Sequence, residues 1–230
     1  MVSVATAIVT NIEDPLGQGR VQLRFPWIQD EGQSSAWAPI AAPMAGNGRG
    51  QDFRPEVGDE ALVAFDRGSF DDPYVVGFLW NGIDKPPLET SESSIRRIKT
   101  VAGHVLDFDD RPGQEKITLT TKGGQTLELV DAPARSTLKT SSGHSVEASD
   151  SSGGVVVKSA SGVQISVTAS GVTIQSSGPV SVTGPSVSVS SSSVTINAAA
   201  ATFSGVVQCQ TLVATAVVSS SYTPGVGNIW

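Results

Sequence analysis

The sequence has little cysteine, no long apolar run and, over its last third, no charge of either sign. The single cysteine, Cys209, excludes an intrachain disulfide framework and a zinc site built on cysteines. The absence of a run of about 18 apolar residues excludes a transmembrane helix. The N-terminus has neither a basic start nor a long apolar region, so it does not resemble a secretory signal peptide.

The charge is acidic in total and confined to the first two thirds of the chain. The 230 residues include 15 Lys and Arg against 22 Asp and Glu, a net charge of −7, and all of them lie between Glu13 and Lys158. A protein that binds nucleic acid or an anionic membrane ordinarily presents a basic patch. The balance of charge therefore predicts neither partner.

Composition also divides the chain into regions. Nine of the 13 aromatic residues precede residue 81, whereas Ser, Thr and Val dominate residues 141–196. The paired prolines Pro86 and Pro87 indicate a linker, because they stiffen the chain and interrupt strand pairing. These differences predict four regions: a globular domain at 1–83, a linker and shaft entry at 84–100, a shaft at 101–200 and a C-terminal tip at 201–230.

The first region has the pattern of a small β-barrel. Arg20–Phe25 alternates strictly between polar and apolar residues, while Glu60–Phe65 is apolar on both faces, as in a central strand. Tyr74–Trp80 is similar to the latter, and turn sequences rich in Gly, Pro and Asp separate these segments. About five short strands in roughly 80 residues fit an OB-type barrel.

The second part of the chain repeats a short unit. Apolar residues recur in pairs two apart from Leu106 to Ile196, and from Val146 onward the pairs begin seven to nine residues apart. Each unit predicts a short strand with one apolar face that it cannot bury alone. The side chains are too small for a single-chain β-helix, so we expect three chains to wind together. The many Val and Ile residues argue against a disordered Ser-rich tail.

A resemblance to a known family rests on short motifs that follow one another in the first 80 residues. These motifs are Asp14–Val21, Phe25–Trp27, Ala36–Ala38, Gly46–Gly50, Pro55–Glu60 and Asp72–Gly77. In this order they resemble the OB-fold domain of VgrG proteins and of phage baseplate assembly protein V, the central spikes of contractile injection machines. Val105–Ile117 resembles the family's entry into the spike β-helix, and Ser221–Trp230 is similar to the end of many such spikes.

The resemblance implies an all-β homotrimer, with an N-terminal OB-fold barrel as collar and a trimeric intertwined β-helix as shaft. It implies a structural function without enzymatic activity, in which contraction of a sheath drives the spike through the target cell envelope. The implied partners are a hub or baseplate protein on the N-terminal side, a PAAR-type tip protein at the C-terminal end and, transiently, the envelope; nucleic acid is not among them. The implied location is the baseplate of a phage tail or injection particle, in the virion or assembled in the producer cytoplasm.

Two departures from larger relatives of this family add further expectations. VgrG proteins carry a large hub domain before the OB fold, whereas the OB motifs here begin near residue 8. We therefore expect either a separate hub protein or a longer parent protein. Tail-lysozyme spikes carry a muramidase domain between barrel and shaft, and a short linker stands at that place in this sequence.

The candidate partner-binding residues lie at the C-terminal tip. They are Tyr222, Pro224, Ile229 and Trp230. The two aromatic side chains among them are unfavourable to expose to water. We expect these residues to seat the tip protein at the end of the shaft.

Catalytic, metal and cofactor sites are not predicted. Asp107, Asp109 and Asp110 form the densest acidic cluster, but a turn and a solvated strand face account for it better than catalysis or calcium binding. His104 and His144 stand alone, without the His-x-His pair that holds iron in some phage spikes, so both are expected at the surface. The serines include none in a nucleophile elbow.

A receptor- or glycan-binding tail fibre is the alternative function. It requires a groove lined with carboxylates and aromatic residues on the flank of the β-helix. The sequence after Lys158 contains no carboxylate side chain, which disfavours this alternative. A free OB-fold binding module with a disordered tail is a third interpretation, and it predicts a monomer.

Overall fold

The computed structural model describes residues 4–28, 34–88 and 91–221, and regular structure there is almost entirely β. A single 3-10 turn, Asp66–Gly68, is the helical element of these residues. The chain divides into two units, Met1–Val180 and Ser181–Trp230. Within the described ranges, no helix has the length and apolar character needed to cross a membrane.

The strands of the first 80 residues form one sheet and one short hairpin. They are β1 Val4–Asn11, β2 Gln22–Arg24, β3 Ala45–Gly46, β4 Arg49–Gly50, β5 Glu60–Phe65 and β6 Pro73–Leu79. The sheet is antiparallel with the order β2-β1-β5-β6, and β3 pairs with β4. β5 is central, as its apolar pattern predicted, and β1 is the other central strand.

An irregular segment joins the two edges of this sheet. Ala38 exchanges backbone hydrogen bonds with Val21, next to edge strand β2, at 2.8 and 3.0 Å. On the other side, the Ala41 N–H donates to the Val75 carbonyl at 2.8 Å, and the Val75 N–H donates to the Pro39 carbonyl at 2.9 Å. Because Val75 lies in edge strand β6, residues 38–41 bridge both edges of the four-stranded sheet, as a fifth strand does in an OB-type fold.

The core of the first domain is built from strands in which buried side chains alternate with more exposed ones. Every second residue of β5 is buried, beginning with Ala61, and the same holds for Val21, Leu23 and Phe25 around β2. The buried core comprises Ala7, Val9, Val21, Leu23, Phe25, Ala38, Ala61, Val63, Phe65 and Val75. The polar residues that alternate with them face outward, so the strict alternation of Arg20–Phe25 correctly predicted one buried face.

A second sheet of nine strands follows the barrel. The strands are β7 Ile95–Lys99, β8 Val105–Asp109, β9 Lys116–Thr120, β10 Thr126–Val130, β11 Arg135–Lys139, β12 Ser145–Ser149, β13 Gly154–Lys158, β14 Gln164–Thr168 and β15 Gly171–Gln175. Each pairs antiparallel with its neighbours in sequence, so the order in the sheet is the order in the chain. Short strands with one apolar face, joined by tight turns, are confirmed here.

The turns lie alternately along two edges of this sheet. We define the first edge by the turns 100–104, 121–125, 140–144 and 159–163, and the second edge by the turns 110–115, 131–134, 150–153 and 169–170. The four first-edge turns share the pattern Ser/Thr-x-x-Gly-x and the same two backbone hydrogen bonds. Their glycines have φ between +81° and +94°, a conformation that only glycine adopts without strain.

Residues 176–221 form no strand within one chain, although all of them are described. Their paired apolar residues, for example Val180 with Val182 and Val187 with Val189, predicted strands, and these side chains are exposed. A strand is stable only when its backbone groups have a partner strand. In this segment the chain by itself supplies none.

Candidate functional site

The nine-stranded sheet exposes an apolar face made of two rows of side chains. The second and fourth residues of each strand point to this face, and the register aligns them with their counterparts in adjacent strands. The first-edge row is Ile98, Leu106, Leu119, Leu127, Leu138, Val146, Val157, Ile165 and Ile174. The second-edge row is Arg96, Phe108, Ile117, Leu129, Ser136, Ala148, Val155, Val167 and Val172.

These rows are unusually open to solvent in the single chain. Between Ile117 and Ile174, every large side chain of the two rows is at least 40% exposed. A continuous apolar surface of this size is unfavourable in water and marks an interaction surface. The face therefore requires an apolar partner of comparable length.

The opposite face of the sheet carries charged residues that pair with one another. Arg97 donates from Nε and Nη2 to the Asp107 carboxylate, both at 2.7 Å. Glu128 accepts a hydrogen bond from Arg135 at 2.7 Å and lies 3.5 Å from the Lys116 ammonium. A sheet with one ionic and one apolar face is built to meet water on the first and a protein partner on the second.

The other two aspartates of the acidic cluster also bind arginines. Asp110 pairs with Arg96, and both side chains are exposed. Asp109 accepts hydrogen bonds from Arg111 Nε at 2.8 Å and Nη2 at 2.6 Å, and these bonds lower the pKa of Asp109 from 3.8 to about 2. In the described part of the chain, no group of three or more His, Cys, Asp or Glu side chains is placed to hold a metal ion.

The two histidines join neighbouring turns of the first edge. Nδ1 of His104 accepts a hydrogen bond from the Lys122 backbone N–H at 3.3 Å, and Nδ1 of His144 accepts one from the Ala160 N–H at 3.2 Å. Each histidine is the fifth residue of its turn, and each donor is the second residue of the next turn on that edge. Both histidines are exposed, and they contribute to the stacking of the turns.

The loop before β2 is organised by one carboxylate. Asp14 accepts hydrogen bonds from the Arg20 side chain at 2.6 and 3.0 Å, and from the backbone N–H groups of Leu16 and Gln18 at 3.1 and 2.9 Å. These bonds, those of Arg20 above all, hold the pKa of Asp14 well below its ordinary value. The guanidinium of Arg20 lies 5.9 Å from the ring centre of Trp37. The motif Asp14–Val21 thus has a structural role in the barrel.

Two family models match the chain. The type VI secretion system/phage-baseplate injector OB domain matches residues 5–80, and the phage baseplate V C-terminal trimerisation domain matches residues 135–202. Together they cover more than half of the sequence. The chain belongs to the VgrG and phage baseplate V family.

Curated relatives in this family include spike proteins of two bacteria. The chain is similar to the type VI secretion system spike protein VgrG4b of Pseudomonas aeruginosa, with 34% identity over 129 residues, 49% of this chain and 16% of the relative. It is 30% identical to the actin cross-linking toxin VgrG1 of Vibrio cholerae over 44% of this chain and 10% of that protein. The spike protein VgrG3 of Vibrio cholerae is 29% identical over 44% of this chain and 11% of the relative. The chain thus matches less than a fifth of each relative's length.

The trimerisation-domain match overlaps part of the exposed rows. Its match begins at Arg135, the first residue of β11, and includes β12 to β15. A homotrimer is supported by this match, and an exposed apolar face is the kind of surface that copies of a chain bury on assembly. Strands β11 to β15 of the exposed face thus lie within the domain that the family model describes as a trimerisation domain.

Some sequence-based candidates do not fall within this surface. Tyr222, Pro224, Ile229 and Trp230 lie outside the described residues, so their role at the tip stays a prediction. Cys209 is exposed in the single chain. Sequence reasoning missed the backbone contacts of the two histidines; the Ser/Thr-x-x-Gly-x spacing around them was the available signal.

Proposed function

We propose that three copies of this chain form the central spike of a contractile injection machine, with the OB barrels as its collar and the repetitive segment as its shaft. The observation that carries this proposal is the exposed apolar face of β7 to β15, in a chain that matches a baseplate trimerisation domain. The boundaries expected from the sequence belong to the proposal: collar at 1–83, shaft at 101–200 and tip at 201–230.

The proposed action is mechanical and uses no catalytic group. Contraction of a sheath pushes the spike against a target envelope, and the shaft transmits the load. Nine strands at a spacing of about 4.8 Å extend the sheet over roughly 40 Å. In a trimer, burial of the apolar rows protects the sheet faces from water and raises the barrier to unfolding.

The proposed partners lie at the two ends of the protein. A hub or baseplate protein binds on the N-terminal side, and a PAAR-type cone sits on the C-terminal tip through Tyr222, Pro224, Ile229 and Trp230. The envelope is a transient contact, and nucleic acid is not a partner because the net charge of −7 repels phosphates. The proposed location is the baseplate of a phage tail or of a related injection particle.

The mass in solution tests the proposal directly. Light scattering should give three times the 23.7 kDa of one chain. The trimer should also resist SDS without boiling, because its apolar rows are buried between chains. A mass equal to one chain would contradict the spike and favour the free OB-fold module.

Removal of the tip tests the proposed seat for the cone. A chain lacking residues 222–230 should remain trimeric, because the rows of β7 to β15 are intact, but should lose binding of a purified PAAR-type protein. Binding can be measured by pull-down on the immobilised full-length and shortened trimers. Equal retention by both would contradict the role of the four tip residues.

A further inference from the structure

We propose that neighbouring copies pack first edge against second edge, and that a hollow at Ser136 and Ala148 of one copy receives Leu138 of the next. The inference rests on the proposed trimer and specifies which residues meet within it. It identifies β11 and β12 as the strands where small side chains of one copy meet larger side chains of the next.

Closure of a three-fold ring determines which rows are near each other. Rotation about the axis brings the same two unlike edges together three times, so each corner joins a first edge to a second edge. Within one strand the two rows are two residues, or about 7 Å, apart. At a corner, the rows that approach most closely are therefore the first-edge row of one copy and the second-edge row of its neighbour.

The hollow interrupts the second-edge row over two adjacent strands, β11 and β12. Ser136 and Ala148 are directly paired in adjacent strands, and large side chains flank them at Leu129 and Val155. An open depression lies here at the second edge, lined by Ser136, Ala148 and Val155 together with residues of the turns 131–134 and 150–153 and the adjoining strand ends. A side chain from outside the chain has room to enter there.

A protruding side chain lies at the same level on the other row. Leu138 is in the same strand as Ser136, and with 54% exposure it is more open than any other large row residue from Leu106 to Val167. Its cross-strand partner Val146 is exposed as well. In β11 and β12 the first-edge row therefore carries Leu138 and Val146, where the second-edge row carries only the small side chains of Ser136 and Ala148.

The match between hollow and protrusion disfavours a slip of one copy towards β10 of the next. If one chain slipped by one strand, about 4.8 Å, Leu138 would meet Leu129 or Ala148 rather than Ser136. In the slip towards β10, two leucines would compete for one volume while the smaller Val146 would face Ser136. Overpacking and underpacking both destabilise an interior, so this slip is disfavoured.

Disulfide crosslinking tests the predicted neighbours. In a Cys209→Ser background, the pair Ser136→Cys with Leu138→Cys should give a covalent trimer after mild oxidation, seen after boiling in non-reducing SDS. Within one strand their Cβ atoms are about 7 Å apart, too far for a disulfide, which spans about 3.5–4.5 Å. Each single-cysteine variant should stay monomeric in the same gel.

A mismatched pair supplies the control. Ser136→Cys with Ile165→Cys uses the same two rows but separates the cysteines by three strands, so it should not crosslink. Covalent dimers from a single-cysteine variant would overturn the proposal, since a residue would then meet its own copy. A double variant that crosslinks no more than the control would overturn it too.

Light scattering of the same samples separates the two failures. A trimer that does not crosslink contradicts the edge-to-edge packing alone, whereas a monomer contradicts the proposed spike as well.

Exchanging the large and the small side chain gives a second test. Ser136→Leu should lower the melting temperature of the trimer, and adding Leu138→Ala should recover part of that loss. Strictly additive losses would contradict contact between these positions.

Discussion

Asp109 illustrates how a position at the end of a strand determines the pKa of one carboxyl group. It is the last residue of β8, its side chain is 6% exposed, and Arg111 two residues later holds it. The pKa of Asp109 in the folded chain is about 2, below its ordinary value of 3.8. The ion pair therefore stabilises the fold fully above about pH 4, and this contribution is lost as the pH falls towards 2.

Replacing this carboxylate should change the acid sensitivity of the protein. Asp109→Asn should lower the melting temperature at pH 7 and make its decline between about pH 4 and 2 shallower than in the parent chain. Asp110→Asn is the matched control, since the Asp110 side chain is 63% exposed and exposed pairs contribute little. Equal declines for the parent and Asp109→Asn would contradict the assigned role.

At the residue scale, alternation along a strand was the part that could be predicted. It correctly placed Val21, Leu23 and Phe25 in the core. The burial of Asp109 and the backbone contacts of His104 were not predictable in this way. The His104 contact joins residues 18 apart, and such separations depend on how turns stack, which the apolar pattern does not contain.

The first-edge turns show why an element needs glycine at one position. In the turn 121–125, Gly124 has φ +81°, and its N–H donates to the Thr121 carbonyl at 2.9 Å. The preceding Gly123 does not have positive φ. The two adjacent glycines therefore differ in how much they depend on the absence of a side chain.

Alanine substitution of these two glycines should separate the roles. Gly124→Ala should lower the free energy of unfolding by about 1–2 kcal/mol per chain, because a left-handed backbone is unfavourable for L-residues. Gly123→Ala should have little effect, since its nearest neighbour would be the Thr121 hydroxyl at 4.0 Å. Denaturant unfolding measures both, and equal losses would argue against strain as the cause.

At the element scale, the existence of short strands was predictable and their partners were not. The apolar pairs of β12 to β15 and of residues 180–196 look alike in sequence. The former make hairpins within one chain, whereas the latter form no strand in the described chain. A period-two apolar pattern specifies which face of a strand is buried, but it does not specify which other strand pairs with it.

Assembly of the proposed trimer depends on the apolar face of the nine-stranded sheet. Substitutions at two adjacent residues, Val155 and Val156, test this. Val155→Lys places a charge on the second-edge row and should prevent or weaken trimer formation, because a buried unpaired charge is strongly unfavourable. Val156→Lys places the same charge on the opposite face, directly across from Glu147, and should leave the trimer intact.

The two lysine variants can be compared by light scattering over a dilution series. The parent chain and Val156→Lys should keep the trimer mass at concentrations where Val155→Lys dissociates. Two variants that dissociate alike would mean that both faces of the sheet are buried on assembly. Two variants that stay trimeric would exclude the apolar rows as the interface.

The strand order of the second sheet favours rapid folding of its nine strands. Each strand from β7 to β15 pairs with its neighbours in sequence, and local contacts form quickly because little loop entropy is lost. Residues 176–221, all described, form no strand within one chain; in the proposed trimer their strand partners come from other copies, so their pairing depends on concentration. Since the ribosome also makes the nine strands first, folding and synthesis run in the same direction, and assembly is completed last at the C-terminal end.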